Sequence, residues 1–564
     1  MRAGGDAGPH AFPGARPSIG ALALHRLPTY NASVGKAAAA LAVIATALLV
    51  TSAGSAATRD VGAPAGKGKL YTVAFASSSL PANVDQLVAA AGGTIVVRLP
   101  EIGGLGVLSS NPSFAATMSA SGSVAAADTS VHTSVPPMQA SGSPSTARAR
   151  IRAFSSHARR RGGGASGAGT DPQREPDPLG SQQWDKMRMN VSLTGSYAVN
   201  RGRPDVRVAF TDSGVDQNHP DIRANLDARD STSFVGDVPD PVFTDADGNL
   251  VPIVAEPTIQ DYNGHGTWTA SAVAAPINRI GISGVAPNVS IVELKTQDKN
   301  GNGLLLWFDQ ALVYAAAKHL DVVSASIVSY ALKGDPDYVL ARRAVKYARD
   351  RGVLTVAAMG NDNLDLADDA ALTYAFGVPG VVEVPGGLPG VVGVSSTGYF
   401  NDKAFYSNYG RGIVDIAAPG GDSVFQSPPS PYDGGGLLLG AWSSTSTLPL
   451  GDQPPQTTDG GGSYAWMQGT SMATPNAAGV AALIVSQYGN FLGRGDEARL
   501  QPDQVERLLE QSAASQSCPN PSTVVYGFDF PYDQATCQGG RGSNGFYGNG
   551  IVNAVAALTG DARR

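Results

Sequence analysis

The sequence predicts an α/β protein in which a large domain, built on a parallel β-sheet with helices on both faces, follows a small α+β module. Beyond residue 180, short β-branched runs alternate with helical stretches, a pattern typical of a parallel sheet covered on both faces. The 564 residues, 42% of them hydrophobic and 15% charged, are enough for a large core and for more than one domain.

Residues 1–57 are interpreted as an N-terminal extension and a signal peptide. The apolar run 37–50 follows a lysine and precedes small residues suited to cleavage near Ala56 or Ala57. The run is shorter than the roughly 20 residues that a membrane span needs. We therefore expect a secreted, extracellular product without a membrane anchor. Because the signal is complete from Val34 onward, we hypothesise that translation begins there rather than at the first methionine.

Residues 69–136 are predicted to form a module with the order β-α-β-β-α-β, a ferredoxin-like topology that says nothing about function by itself. The period of the apolar residues places its strands and helices. The strands are expected at 70–75, 93–99 and 104–110, with 131–135 closing the sheet, and the helices at 84–92 and 113–120.

Residues 137–180 are rich in Ser, Gly, Pro and Arg and are predicted to be a disordered linker. Its arginines are explained equally well by solubility and by a cleavage site that separates the module from the rest of the chain.

Residues 181–564 are predicted to be the large domain. Its strand-like runs are 206–212, 289–295, 322–328, 354–359, 391–396 and 414–418, and its clearest helical runs are 307–320 and 338–352. Two stretches, 231–260 and 421–462, interrupt the alternation and are expected to be surface insertions. In such sheets ligands bind at the carboxyl ends of the strands.

Composition limits the class of protein. The net charge is −7, and the second half has no sustained basic face with interleaved aromatic residues, which excludes a nucleic-acid partner. The only two cysteines, Cys518 and Cys537, are predicted to form a disulfide if the protein is exported, with two buried free thiols as the alternative.

A candidate nucleophile, Ser471, precedes a helix made largely of alanine and glycine. A serine needs a base, an acid that orients the base, and donors for an oxyanion. Three histidines follow residue 180. His319 ends a helix and His219 lies in a turn, which are typical structural positions. His265 has a glycine on each side and small residues after it, so we assign it as the base.

Asp212 ends the strand-like run 206–212 and is the candidate acid, although an aspartate in such a turn more often caps the backbone. The helices after His265 and Ser471 are both lined by small residues and can pack closely. The chain order Asp, His, Ser excludes the α/β-hydrolase design, in which histidine comes last.

Several motifs in this order resemble the subtilisin-like serine proteases, or subtilases, across nearly all of residues 180–560. They are AFTDSGVD, GHGTWTA, TVAAMGND, SNYG with VDIAAPG, and GTSMATP. The resemblance implies that residues 69–136 are an inhibitory prodomain whose C-terminal end occupies the active site until it is cleaved.

The resemblance also implies an oxyanion hole formed by the side-chain amide of Asn361 and the backbone N–H of Ser471. This agrees with the position of Asn361 after a strand and of Ser471 at the start of a helix, where N–H groups are unpaired. We expect Pro475 in the first turn of that helix, where its missing N–H costs little.

By resemblance, an extended substrate adds as a strand between two segments of the chain. The implied contact residues are Gly301, Asn302, Gly303, Ser326, Ile327 and Val328. Val328 replaces a glycine common in relatives and Met359 an alanine, so we expect altered specificity rather than lost activity. Trp268 and Asn476 stand where relatives often have histidine, and neither belongs to the triad.

No redox or organic cofactor is implied. Relatives often bind structural calcium, and the loop 245–249 superficially resembles a calcium loop. Because Leu250 stands where such a loop needs glycine, a plain hairpin turn is favoured, and calcium remains possible elsewhere in the fold.

The sequence therefore predicts a secreted, monomeric serine endopeptidase made as a zymogen, with protein or peptide substrates and its own prodomain as intramolecular inhibitor. Two alternatives stay open. One is a narrow processing protease for a single partner, and the other is a non-catalytic subtilase-like binding protein.

Overall fold

The computed structural model describes residues 68–134, 176–236, 242–244, 250–252, 255–429, 432–489, 500–527 and 533–560. The predicted signal peptide, the start at Val34, nearly all of the predicted linker and the loop 245–249 lie outside the described residues.

The N-terminal module is a four-stranded antiparallel sheet with two helices on one face. Its elements are β1 (Lys69–Phe75), α1 (Val84–Ala90), β2 (Gly93–Leu99), β3 (Gly104–Ser109), α2 (Phe114–Ser119) and β4 (Val124–Thr129). The strand order is β2-β3-β1-β4. Val73, Phe114 and neighbouring apolar residues fill the space between the sheet and α1 and α2.

One prediction for this module is wrong. The segment 131–135 was expected to close the sheet, but the closing strand is β4, and β5 (His132–Ser134) pairs with the large domain instead. The alanine-rich sequence of β4 has low β-propensity, and only the pairing with β1 makes it a strand.

The large domain contains a seven-stranded parallel sheet, as predicted. Its strands are β6 (Arg207–Phe210), β7 (Thr232–Ser233), β10 (Ser290–Lys295), β12 (Val322–Ala325), β14 (Leu354–Ala358), β16 (Val391–Thr397) and β17 (Ile416–Pro419). They lie in the order β17-β16-β14-β12-β6-β10-β7, and neighbouring strands run parallel.

Helices cover both faces of this sheet. They are α3 (Trp184–Arg188), α4 (Ser196–Val199), α5 (His265–Ala274), α6 (Leu305–Ala317), α7 (Pro336–Arg349), α8 (Asp369–Phe376), α9 (Thr470–Tyr488), α10 (Pro502–Ser512) and α11 (Ala554–Thr559). Alternate residues of β6 face opposite sides, as in any strand. Phe210 packs toward α5 and α9, and Ala209 toward α6 and α7.

The remaining strands form small antiparallel sheets. They are β8 (Val242–Thr244), β9 (Leu250–Pro252), β11 (Asn302–Leu304), β13 (Ser329–Leu332), β15 (Val381–Val384), β18 (Leu438–Trp442), β19 (Gln456–Asp459), β20 (Gly462–Met467), β21 (Thr523–Val525) and β22 (Gln534–Thr536). β8 pairs with β9 on either side of the predicted hairpin turn. A disulfide joins Cys518 and Cys537.

The stretch 421–462 is not simply a surface insertion. Its strands β18 and β19 pair with β20, and Leu438 and Trp442 are buried against α5. The stretch is rich in glycine and serine, so its composition did not indicate β18, a short strand whose residues are all buried.

The module docks on α6 and α7 through the face of its sheet opposite α1 and α2. Val97, Leu99 and Ile102 share one apolar cluster with Leu306 and Leu340. The sheet of the module is therefore covered by its own helices on one side and by the large domain on the other.

Among the described residues, no helix combines the length and hydrophobicity needed to cross a bilayer. In the same part of the chain, no group of three or more His, Cys, Asp and Glu side chains is arranged to hold a metal ion.

Candidate active site

Asp212 and His265 form a buried hydrogen-bonded pair at the carboxyl edge of the sheet. Nδ1 of His265, the first residue of α5, lies 2.7 Å from Oδ1 of Asp212, which follows β6 by two residues. Oδ2 of the same carboxyl accepts a hydrogen bond of 3.0 Å from the hydroxyl of Thr269. Both oxygens of Asp212 are thus engaged, which fixes the carboxyl plane and the imidazole that it holds.

Asp261 fixes the start of α5. Its carboxyl accepts hydrogen bonds from the backbone N–H groups of Gly264 and Thr267, two donors that the first turn of a helix otherwise leaves unpaired. Gly264 has a φ of 119°, in the left-handed region, and a Cβ there would lie 2.4 Å from the indole of Trp442. His265 is therefore oriented by a capped helix and by a glycine that no larger residue fits.

Ser471 is the second residue of α9. Its carbonyl accepts a hydrogen bond of 2.9 Å from the hydroxyl of Ser326, which follows β12. The position expected for Pro475 is wrong, because α9 begins at Thr470 and Pro475 lies in its second turn. Proline there cannot donate to the carbonyl of Ser471, and the Ser326 hydroxyl supplies that missing donor.

A base acts on Ser471 through a hydrogen bond, and the hydrogen bond from Ser471 to His265 is not formed in this structure. The hydroxyl of Ser471 donates instead to the carbonyl of Ser326, at 3.4 Å. Nε2 of His265 is buried and has no hydrogen-bond partner among the described residues. The two helices that carry these side chains, α5 and α9, do pack against each other.

Asn361 lies beside Ser471 with its amide oriented by Thr470. The backbone N–H and the hydroxyl of Thr470 each donate to Oδ1 of Asn361, both at 2.9 Å. With Oδ1 occupied twice, Nδ2 lies on the other side of the amide and is available as a donor. The N–H of Ser471 belongs to the first turn of α9, where no preceding helical carbonyl can accept it.

A strand of the chain itself lies between the two predicted substrate-binding segments. β5 pairs antiparallel with β11, with Thr133 opposite Gly303. On its other side, Ser134 exchanges two backbone hydrogen bonds of 3.2 Å with Val328. Asn302, Gly303 and Val328 therefore contact an extended chain through their backbones.

The other three residues predicted to bind substrate have different positions. Ser326 faces Ser471, as described above. Ile327 is fully buried and belongs to the apolar cluster that includes residues of α6 and α7. Gly301 forms the turn before β11, with a φ of 79°.

His219 has the structural role expected of it. Nδ1 accepts a hydrogen bond from the backbone N–H of Asp221, and Nε2 lies 3.0 Å from the carbonyl of Ser463. Burial lowers its pKa, which favours the neutral ring.

A further buried carboxyl, Glu293, lies behind the Asp212–His265 pair on β10. Burial is the main cause that raises its pKa well above the ordinary value, and the charges of Asp212 and Asp261 raise it further. These effects favour the neutral form of Glu293 over a second negative charge beside Asp212.

Sequence reasoning missed the residues that support the site. Thr269 lies one helical turn after His265, a spacing that places both on one helix face. Asp261 precedes the helix as capping residues do. Thr470 precedes Ser471 directly, and nothing in its spacing predicts its bonds to Asn361.

The fold and the chain order Asp–His–Ser at one edge of a parallel sheet define a serine hydrolase. The model of the subtilase family matches residues 203–550. The chain therefore belongs to the subtilase family and is a subtilisin-like serine endopeptidase.

Relatives of known name agree with this assignment. The chain is 31% identical over 307 residues to the intracellular serine protease of Paenibacillus polymyxa, covering 54% of this chain and 74% of that protein. It is 28% identical over 352 residues to subtilisin E of Bacillus subtilis strain 168, covering 62% and 65% respectively.

Two solved structures share the fold. One is the epidermin leader peptide processing serine protease of Staphylococcus aureus, with a TM-score of 0.60 and 22% identity, covering 87% of this chain and 98% of that one. The other is fervidolysin of Fervidobacterium pennivorans, a keratinolytic enzyme related to subtilisin, with a TM-score of 0.57 and 21% identity, covering 89% and 62%. At these identities the likeness establishes the fold alone.

Proposed function

We propose that the protein is a secreted zymogen whose mature form hydrolyses peptide bonds through Asp212, His265 and Ser471. The observation that supports this most directly is the 2.7 Å contact between His265 and Asp212, at the sheet edge that also carries Ser471 and Asn361. A hydroxyl, a base, an orienting acid and an oxyanion donor are thus present together.

In this mechanism, Nε2 of His265 accepts the proton of the Ser471 hydroxyl while Oγ attacks the peptide carbonyl carbon. The Asp212 carboxylate orients the ring and stabilises its charged form. The same proton then passes to the leaving amine, and water hydrolyses the acyl-enzyme in a second cycle. Because Nε2 has no other partner, a rotation of the Ser471 side chain away from Ser326 is the change that the first step requires.

Asn361 and the N–H of Ser471 are proposed to stabilise the oxyanion. The negative charge that develops on the carbonyl oxygen needs donors already in place before the reaction. Thr470 donates two hydrogen bonds to Oδ1 of Asn361, so Nδ2 lies on the far side of the amide from Thr470. Nδ2 is then available as a donor, which supports this role. These side chains supply the base and the electrostatic stabilisation, so we propose that the chemistry needs no cofactor. The chelator experiment below tests for structural calcium.

The module of residues 69–136 is proposed to inhibit the enzyme until the linker, residues 137–180, is cut. β5 occupies the groove between β11 and Val328, where a substrate would add as a strand. Release of β5 frees those backbone groups for substrate. We further propose that the signal peptide directs export and that the large domain, residues 181–564, acts as a monomer.

The proposal is tested by expressing the full chain with its native signal, together with Ser471→Ala and Asp212→Asn variants. The wild-type protein is expected to reach the medium, lose residues before about 180 and digest a diverse peptide library. The Ser471→Ala variant is expected to keep its module and digest nothing. Cleavage of the library by the Ser471→Ala variant at the wild-type rate would contradict the proposal.

The same experiment separates the remaining alternatives. Digestion restricted to a few related sequences indicates a narrow processing role. No digestion by a wild-type protein that has lost its module indicates a binding protein. A thermal midpoint that falls on addition of a chelator indicates a bound structural cation.

A further inference from the structure

The groove that β5 occupies contains a buried polar side chain with no partner. Both amide atoms of Gln297 are buried and lack a hydrogen-bond partner among the described residues. The hydroxyl of Thr133, on β5, is buried and equally unpartnered. A buried polar group without a partner is destabilising, so an unpartnered pair facing the same space needs an explanation.

Gln297 and Thr133 lie on either side of one glycine. Gln297 forms a β-bridge with Gly303, and Gly303 lies opposite Thr133 in the pairing of β5 with β11. The three residues thus form one row across neighbouring strands, and side chains in such a row project from the same face. Gly303 has no side chain, so the two outer side chains reach toward each other over it.

The distances at Gly303 agree with this arrangement. A Cβ built on Gly303 would lie 2.2 Å from the carbonyl oxygen of Thr296, 2.8 Å from Oγ1 of Thr133 and 3.2 Å from Nε2 of Gln297. A side chain at residue 303 would therefore collide with the Thr296 carbonyl and with both polar side chains. Glycine at this position allows the hydroxyl and the amide to approach the same point.

The register identifies the substrate residue that would enter this space. Ser134 lies opposite Val328 in an antiparallel pairing. In a substrate bound in the same register, one residue takes the place of Ser134, and the residue two positions after it lies opposite Ser326. Ser326 is the residue whose carbonyl contacts the hydroxyl of Ser471. The residue at the place of Thr133 is therefore the fourth on the amino side of the cleaved bond.

We propose that Gln297 is a specificity-determining residue that selects substrates with a threonine or serine at this fourth position. The inference rests on the proposed function and adds the substrate class to it. The Thr133 hydroxyl makes no direct hydrogen bond to the amide, so a substrate hydroxyl gives the amide of Gln297 a partner through one bridging water, whereas the isosteric valine leaves the amide buried and unpaired. The chain's own segment in the groove has threonine at this place.

The test uses two fluorogenic peptides that differ only by threonine or valine at the fourth position, with mature enzyme. Wild-type enzyme is expected to cleave the threonine peptide with a kcat/KM about tenfold higher, with most of the difference in KM. In a Gln297→Leu variant the preference is expected to reverse in favour of valine. Gln487→Leu removes an exposed glutamine about 24 Å along α9 from Ser471 and should keep the wild-type ratio.

The inference is overturned if the wild-type enzyme cleaves the two peptides equally well or prefers the valine peptide. This comparison uses the wild-type enzyme alone, so it does not depend on the folding of a variant. An unchanged preference in folded Gln297→Leu also overturns it. If neither peptide is cleaved and a fluorophosphonate fails to label Ser471, the proposed function fails, and this inference with it. Cleavage of both peptides without preference contradicts the inference alone.

Discussion

The hydroxyl of Thr72 donates a hydrogen bond of 2.9 Å to Oδ1 of Asp337, across the boundary between the N-terminal module and the large domain. Asp337 lies in the first turn of α7 and is completely buried. Burial, with smaller contributions from the nearby acids Asp335 and Asp128, raises its pKa from 3.8 to about 8. A second buried acid, Asp309 on α6, has its pKa raised by burial and by Asp337.

We therefore predict that rising pH weakens docking of the module. Below about pH 4, Asp337 is protonated whether the module is docked or released. Between about pH 4 and pH 8 the docked state keeps a proton that Asp337 loses once release of the module exposes it to water, so docking weakens as the pH rises. Above pH 8 Asp337 is ionised in both states, and its contribution no longer changes.

The measurement is the thermal midpoint of the full chain with Ser471→Ala, which prevents self-cleavage, between pH 5 and pH 9. The midpoint should fall up to about pH 8 and then level off. Asp337→Asn keeps the shape of the side chain but cannot ionise, so its midpoint should fall less steeply. Identical slopes for the two proteins would refute the role of Asp337.

Arg343 holds the module through several backbone carbonyls. Its guanidinium donates to the carbonyls of Phe75 and Ile102 at 2.8 and 3.1 Å, with longer bonds to Ala76 and Ser77. Arg343→Ala should weaken docking by about 2 kcal/mol, because charged donors are lost to carbonyls at the interface. The variant should become active sooner after secretion.

The time course of activity in the medium measures this effect. Arg342→Ala is the matched control, because Arg342 is exposed on the same helix and stacks on Tyr338 rather than on the module. Equal activation times for the Arg343 and Arg342 variants would contradict a role of Arg343 in holding the module.

Asn361→Leu is expected to lower kcat about 10²- to 10³-fold with little change in KM, the range observed when a serine protease loses an oxyanion donor. Thr470→Val should cause a smaller loss, because it removes only one of the two bonds that orient the amide. Thr470→Ser keeps both bonds and should be close to wild type. Steady-state kinetics on one peptide compares all three, and a Thr470→Val variant as active as Thr470→Ser would show that the amide needs no such support.

Gly264→Ala is expected to displace His265. The backbone there is left-handed, which costs a residue with a Cβ about 1 kcal/mol, and the added methyl would collide with Trp442. Gly377→Ala provides a control, because its φ of 73° is also left-handed but nothing lies within 4 Å of its Cβ. Only Gly264→Ala should lose activity by more than tenfold, as measured by kcat/KM. Equal losses in both variants would mean that backbone strain alone is responsible.

Much of the fold follows from local sequence. The β-branched runs that became β6, β12 and β14 are buried on both sides of the sheet, so their uninterrupted apolar character identifies them as parallel strands. Asp212 and Asn361 could be placed because each follows one of those runs. The closeness of α5 and α9 follows from their alanine and glycine content.

The features that were missed depend on contacts between distant segments. β4 is a strand only because it pairs with β1. β5 pairs with β11 of the large domain rather than with the sheet of the module. The second-turn position of Pro475 is tolerated because Ser326 replaces the lost hydrogen bond from a different strand. Local propensity contains no information about such partners.

The most direct test of the central claim is covalent labelling of the mature protein with a fluorophosphonate, with the modified residue identified by mass spectrometry. We predict a single adduct on Ser471, slowed by orders of magnitude in His265→Ala and in Asp212→Asn, because the hydroxyl then lacks an oriented base. An adduct on another residue, or labelling of Ser471 at the wild-type rate without His265, would contradict the proposed triad.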